Sequence, residues 1–261
     1  MKFKFFLLII MIFFINIPFA GAYTLNLYNL KYLSIKEKLD TMDLSNVNNV
    51  MFVAHPDDES LFGGAHLLKE KNYLVVCMTC GNEIERDNEF IEMMNIYESK
   101  YLLLKYTDIL SDFQIYFWDT KTRKDALHSV ETILRYKHWG KIVTHNPEGD
   151  YGHVHHKLIS NIVSKASIIE NKSNNLIYFA KYYPYEYYRD ADFLRFINKT
   201  VNLSPELSDN KRDLIYNIYV SQVAVCKNID YLIPSERWIS YKEWNKKYYT
   251  IWDNEYNYYR L

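Results

Sequence analysis

The 261-residue chain is sparing with the residues that usually declare a class of protein. Three cysteines are too few for a disulfide framework. Cys77 and Cys80 do form a C-x-x-C, but within the strand-like run YLVVCMTCG, with no helix start behind it. A thioredoxin-type redox site needs that helix, so buried, apolar-like cysteines are the better reading. An excess of one charge is also missing: 31 basic against 32 acidic residues give a net charge of -1. There is thus no electrostatic case for a nucleic-acid partner. No G-x-G-x-x-G occurs, and Gly63 and Gly64 read as permitting close helix–sheet packing rather than binding a nucleotide. No internal repeat and no linker interrupt the chain, so one domain is expected.

The first 22 residues stand apart. MKFK carries positive charge, FFLLIIMIFFINI is a short apolar block, and PFAGA ends in small residues. This is the layout of a secretory signal cleaved after Ala22, or of an uncleaved anchor. The expected division is therefore a signal peptide or membrane anchor at 1–22 and a single domain at 23–261. The expected place is the secretory pathway, either at the endoplasmic reticulum membrane or secreted. The Tyr- and Trp-rich C-terminal stretch would pack, stack on sugar rings or touch a membrane surface.

From residue 48 short apolar runs alternate with longer periodic stretches. NVMFVAH, YLVVCMTCG, TDIL, IYFW, KIVTH and LIYFAKYY read as strands. Helices are expected over ESLFGGAHLLKEK, RDNEFIEMMNIYESKYLL, TKTRKDALHSVETILRYK and HHKLISNIVSKASII, and again over LSPELSDNKRDLIYNIYVSQVAV. The stretch YKEWNKKYYTIWDNEYNYYRL shows no clean period. Nearly continuous apolar strands separated by helices predict an α/β fold: a three-layer, Rossmann-like, mainly parallel sheet with helices on both faces.

Two polar clusters follow two of these strands. AHPDDES places His55, Asp57, Asp58 and Glu59 at the end of the first, and THNPEGDYGHVHHK places four histidines between positions 145 and 156 at the end of KIVTH. In a parallel α/β sheet the carboxyl ends of the strands line one crevice, so these distant loops should meet. A histidine and a carboxylate from one loop, with a histidine from the other, make the N,N,O donor set of a catalytic zinc. His55 and Asp58 can face one metal across the Pro56 turn, while Asp57 between them would face the attacking water as a general base. His153 and His156 lie three apart at a helix start; one can ligate and the other serve as an acid. The alternative for HPDD is a turn in which Asp57 or Asp58 caps the following helix. Glu59 would cap or support the loop, and His145 would stand behind the ligands.

These blocks resemble the PIG-L/LmbE-type zinc N-deacetylases, which include N-acetylglucosaminyl-phosphatidylinositol de-N-acetylase. Ala54–Glu59 is similar to the family's H-P-D-D-E block and Gly152–His156 to its G-H-x-x-H block. The segment from Gly81 and Asn82 through Arg86 to Glu89 resembles a substrate segment, Phe117–Thr120 a W-D segment, and Tyr219–Gln222 an S-Q element. The resemblance implies an LmbE-like fold and a zinc cofactor, with ferrous iron as the alternative metal. It implies His55, Asp58 and His156 as ligands and Asp57 as the base. It gives His153 the departing amine or the oxyanion, and Tyr151 the reacting carbonyl. Asn82, Arg86 and Glu89 would then contact a small-molecule or glycolipid substrate carrying N-acetylglucosamine. The chain departs from the pattern at His155, where bacterial relatives carry an acid that orients the first histidine; Asp150 is the candidate replacement. Two other readings stand beside a phosphatidylinositol-linked substrate: another N-acetylated sugar or glycoconjugate, and a non-catalytic carbohydrate-binding relative.

Overall fold

The computed structural model describes residues 34–79, 83–108, 118–180 and 201–248, without the side chains of 201–202 and 246–248. The chain divides into two compact units between Met42 and Asp43. In the first, helix α1 spans 34–40 and carries an i, i+4 pair, Lys36 to Asp40 at 2.7 Å. The 22/23 boundary expected from the sequence lies outside the described residues. Among the described residues no helix is long and apolar enough to cross a membrane.

The second unit is built on β1 (Asn49–Val53), α2 (Asp58–Lys69), β2 (Tyr73–Thr79), α3 (Ile84–Tyr97) and β3 (Lys100–Tyr106). It continues with α4 (Thr120–Tyr136), β4 (Lys141–Thr144), α5 (Val154–Ile169) and β5 (Leu176–Phe179). Then come β6 (Val201–Asn202), α6 (Pro205–Ile218), a 3-10 turn at Val220–Gln222, α7 (Val223–Asn228), β7 (Ser235–Glu236), β8 (Trp238–Ser240) and α8 (Tyr241–Tyr248). The main sheet runs β3-β2-β1-β4-β5-β8; β8 pairs antiparallel to β5 and the other neighbours are parallel. A small second sheet pairs β6 with β7.

Both faces of the central strands are buried, which is why they read as unbroken apolar runs. Met51, Val53, Tyr73, Val75 and Cys77 join one core with Phe62, Phe90, Met93 and Ile215 from α2, α3 and α6, and with Tyr219 just beyond α6. Their alternates Val50, Phe52, Leu74 and Val76 are equally buried on the opposite face, where α5 packs on β1 and β4 with α4 beside it. The three-layer α/β architecture read from the sequence holds.

Of the expected strands TDIL and IYFW, Thr107, Asp108 and Trp118 lie outside any strand and 109–117 lie outside the described residues. Other segments also differ from the sequence reading. KYLLLKY is strand β3, not the tail of the preceding helix. Glu98 takes the left-handed conformation (φ 52°), and Ser99 N–H closes the helix on Met94 O. The helix expected over 203–225 is interrupted at Tyr219, where a 3-10 turn separates α6 from α7.

Gly63 and Gly64 make room at two contacts. A Cβ on Gly63 would lie 3.0 Å from Met51 Cε of β1, and one on Gly64 would lie 2.8 Å from the Tyr97 hydroxyl. Beside them Lys211 of α6 is fully buried, donating to Leu61 O (2.8 Å) and to Glu236 Oε1 (3.0 Å). Glu236 also accepts the backbone N–H groups of Ala65 (2.6 Å) and His66 (3.1 Å). Lys211→Met keeps the stem but strands a buried carboxylate, so it is expected to cost about 3–5 kcal/mol, read as a lower urea midpoint. An unchanged midpoint would show that the pair does not hold α2 and α6 together.

Candidate active site

The HPDDE loop leaves β1 through a tight turn in which Asp57 has φ 121° and ψ -30°, a conformation strained for a residue with a Cβ. The surroundings hold it there. Glu59, fully buried, accepts Asp57 N–H at 3.2 Å, and its other oxygen takes the hydroxyls of Ser60 (2.5 Å) and Tyr219 (2.6 Å). Glu59 is thus a support of the loop. Asp57 occupies the N-cap position of α2 without a side-chain cap bond. The capping alternative therefore does not apply to it, and its carboxylate is left for the cavity.

The second loop is folded by Asn146, whose Oδ1 accepts Glu148 N–H (2.9 Å) and Asp150 N–H (3.2 Å) and whose Nδ2 donates to Asp150 Oδ1 (3.0 Å). Gly149 is required by the turn: φ is 74°, and a Cβ there would sit 2.4 Å from His153 O. The two loops are tied directly, because Ala54 N–H donates to His145 Nε2 at 2.9 Å. Accepting that bond fixes the proton of His145 on Nδ1, which donates to Asp150 Oδ2 at 2.5 Å.

Asp150 Oδ2 also receives His156 Nδ1 at 2.8 Å. The Nε2 of His156 is consequently the lone-pair nitrogen; it is buried, has no hydrogen-bond partner among the described residues and lies 3.2 Å from Asp58 Oδ1. His55 Nδ1 is 3.3 Å from Asp58 Oδ2, and the His55 and His156 rings are 5.4 Å apart. His55, Asp58 and His156 thus converge as the sequence suggests. Their donor set, with the orphaned imidazole nitrogen among them, fits a divalent cation. His55 and His156 each meet Asp58 pairwise, through different oxygens; the groups whose donor atoms all lie within 4.8 Å of one another here are His55, His153 and His156, and Asp58, His145 and His156. In the latter group the His145 lone pair is already taken by Ala54 N–H.

A cavity of about 190 Å³ opens on this cluster, lined by His55, Asp57, Asp58, Arg86, Asp108, Tyr151 and His153 together with Leu61, Gln222, Val225 and Ile229. The charges inside are strongly shifted. Burial, then the neighbouring Asp58 charge, pushes Asp57 up to about 8, opposed in part by Arg86. Asp58 is buried too, yet His156 and His145 hold it well below the usual carboxylate range. Burial works against a charged His55, but Asp108 and Asp58 raise it to about 9. Burial and the His156 and His55 rings push His153 down to about 2, so it is neutral. Tyr151, pushed up by burial and by Asp58 and Asp57, keeps its proton.

Other sequence candidates fall elsewhere. Asp150 was the candidate partner of His153, but its oxygens go to His145, His156 and Asn146, and His153 Nδ1 has no hydrogen-bond partner among the described residues. The acid that the resemblance led one to expect beside His153 is thus not supplied by Asp150. Glu89 is not among the lining residues. Both its oxygens are taken by Ser221, from N–H (2.7 Å) and Oγ (2.6 Å), so the R-x-x-E segment and the S-Q element brace each other. Arg86 reaches the cavity while contacting Asp108 (3.4 Å) and Pro56 O (3.3 Å). Asn82, Gly81, Cys80 and Phe117 lie outside the described residues. Sequence reasoning missed Asp108, which falls inside the expected strand TDIL; its position just beyond β3 shows only in the fold.

Residues 50–167 match the family model of PIG-L, GlcNAc-PI de-N-acetylase, so the family resemblance is borne out over that stretch. A curated relative, the uncharacterized protein L374 of Acanthamoeba polyphaga mimivirus, is 34% identical over 132 residues, 44% of this chain and 56% of the relative. The chain thus spans little more than half the length of that relative. Among solved structures, a deacetylase of the teicoplanin biosynthesis pathway, in complex with bog, superposes with a TM-score of 0.51 at 14% identity. The match covers 68% of this chain and 86% of that one, and it shows a shared fold.

Proposed function

We propose that the protein is a metal-dependent hydrolase that removes the acetyl group from an N-acetylglucosamine-type substrate. One observation carries this reading: Asp57, Tyr151 and His153 line the same cavity as His55 and Asp58, with the lone-pair nitrogen of His156 directly behind. His55, Asp58 and His156 would hold the cation, zinc by donor type, with ferrous iron as the alternative. Once bound, it supplies Lewis acidity that polarises the acetamide carbonyl and acidifies water.

The chain's own groups then divide the remaining work. Asp57 takes a proton from the water that attacks the acetamide carbon. The Tyr151 hydroxyl donates to the carbonyl oxygen as negative charge grows there. His153, held neutral, offers a ring N–H to the same oxygen or relays the proton onward. The C–N bond breaks, the amine nitrogen takes up the proton removed by Asp57, and acetate and a free amino sugar leave.

The description of the matching family model supports N-acetylglucosaminyl-phosphatidylinositol as the substrate. A second reading, a neutral N-acetylated sugar or glycoconjugate, is favoured by Arg86. As the candidate phosphate contact, it is already engaged by Asp108 and Pro56 O. The apolar N-terminal block supports a place in the secretory pathway, as leader or anchor. Acetate release should be measured from N-acetylglucosaminyl-phosphatidylinositol and from soluble N-acetylglucosaminides, with and without a chelator. Chelator-sensitive release from the glycolipid is expected. Release only from soluble sugars selects the second reading, and release from neither removes the deacetylase assignment.

A further inference from the structure

Two carboxylates stand behind the candidate ligands in matching ways. Asp150 Oδ2 meets His145 Nδ1 and His156 Nδ1, at 2.5 and 2.8 Å, while its Oδ1 is held by Asn146. Asp108 Oδ1 meets His155 Nδ1 and His55 Nε2, at 3.0 and 3.2 Å, while its Oδ2 faces Arg86 Nη1 at 3.4 Å. His155 Nδ1 and His55 Nε2 lie 3.1 Å from each other. The carboxylate is fixed in place from the backbone side as well, since Trp118 Nε1 donates to Thr107 O at 2.8 Å.

We infer that Asp108 is a positioning residue for His55: it takes the Nε2–H, so that the Nδ1 lone pair faces Asp58 and the cavity. The inference rests on the reading of His55, Asp58 and His156 as the cation site. Histidine ligands commonly donate their second ring N–H to a carboxylate, and losing that partner typically weakens metal binding about 10–100-fold. His155 supplies a second imidazole to the same carboxylate.

The three atoms His55 Nε2, Asp108 Oδ1 and His155 Nδ1 also form a group that could hold a cation of their own. Both His55 nitrogens would then have to ligate at once, which requires an imidazole stripped of both ring protons. Bracing asks for none of this.

The test is metal affinity by chelator competition, independent of turnover. Asp108→Asn, nearly the same shape, is expected to bind zinc about 10–100-fold more weakly than wild type. His155→Ala should lose less, because Asp108 still accepts the Nε2–H. Unchanged affinity in Asp108→Asn, a larger loss in His155→Ala, or two cations per wild-type chain with one lost in Asp108→Asn would each overturn the inference. Histidine ring ¹⁵N spectra of the zinc-loaded wild type read the same point without a variant. His55 should be protonated at Nε2 and metal-bound at Nδ1, and the reverse pattern would overturn the assignment. If wild type binds no metal at all, it is the cation site that fails, not the brace alone.

Discussion

Asp57→Asn is expected to lower turnover by about 10²–10⁴-fold, the usual contribution of a positioned general base, while zinc content stays at the wild-type level. The variant isolates chemistry from architecture. Asparagine has nearly the shape of aspartate, so the backbone strain at this position is the same in both, and the backbone N–H that Glu59 accepts is untouched. What disappears is a carboxylate that burial and the Asp58 charge make more basic than an ordinary one, and that is left for the cavity to take a proton and return it. The Cys226 thiol 3.9 Å from Asp57 Oδ2 cannot substitute, because burial and the nearby acids push it above its ordinary range. Acetate release under saturating substrate and metal analysis on the same preparation check the prediction. Near-wild-type turnover would remove Asp57 from the role of base.

His156→Ala should act on the metal itself. It deletes the buried Nε2 beside Asp58 Oδ1, and zinc affinity should fall by more than the about 10–100-fold that follows loss of a supporting partner. Activity should fall with it and should not return on adding modest excess zinc. The same substitution removes one of the two imidazoles on Asp150 Oδ2, so some stability is lost as well. A thermal melt in the presence of chelator separates the two effects. Full zinc binding by a folded His156→Ala protein would show that the cation sits elsewhere.

Much of this was legible before folding, for a local reason. Each polar cluster is contiguous and follows an apolar run, and parallel topology sends both strand ends to one edge; the Ala54–His145 bond is that rule made concrete. What stayed hidden depends on tertiary partners. Asp108 is a lone acid after a strand, and nothing near it in sequence announces His55 or His155. Asp150 is three residues from His153, yet its side chain is drawn to His145 and His156. Strand β3 was obscured because a single left-handed residue, Glu98, separates it from α3, and glutamate does not advertise that conformation as glycine does. The antiparallel β8 is three residues long and α8 rich in aromatics, too short or too irregular to show a period.

Anomalous diffraction at the zinc edge from crystals of the zinc-loaded protein tests the account most directly. One peak is predicted, about 2.0–2.2 Å from His55 Nδ1, an Asp58 oxygen and His156 Nε2. A peak held instead by Asp108 and His155, or none at these residues in a protein that still releases acetate, would contradict it.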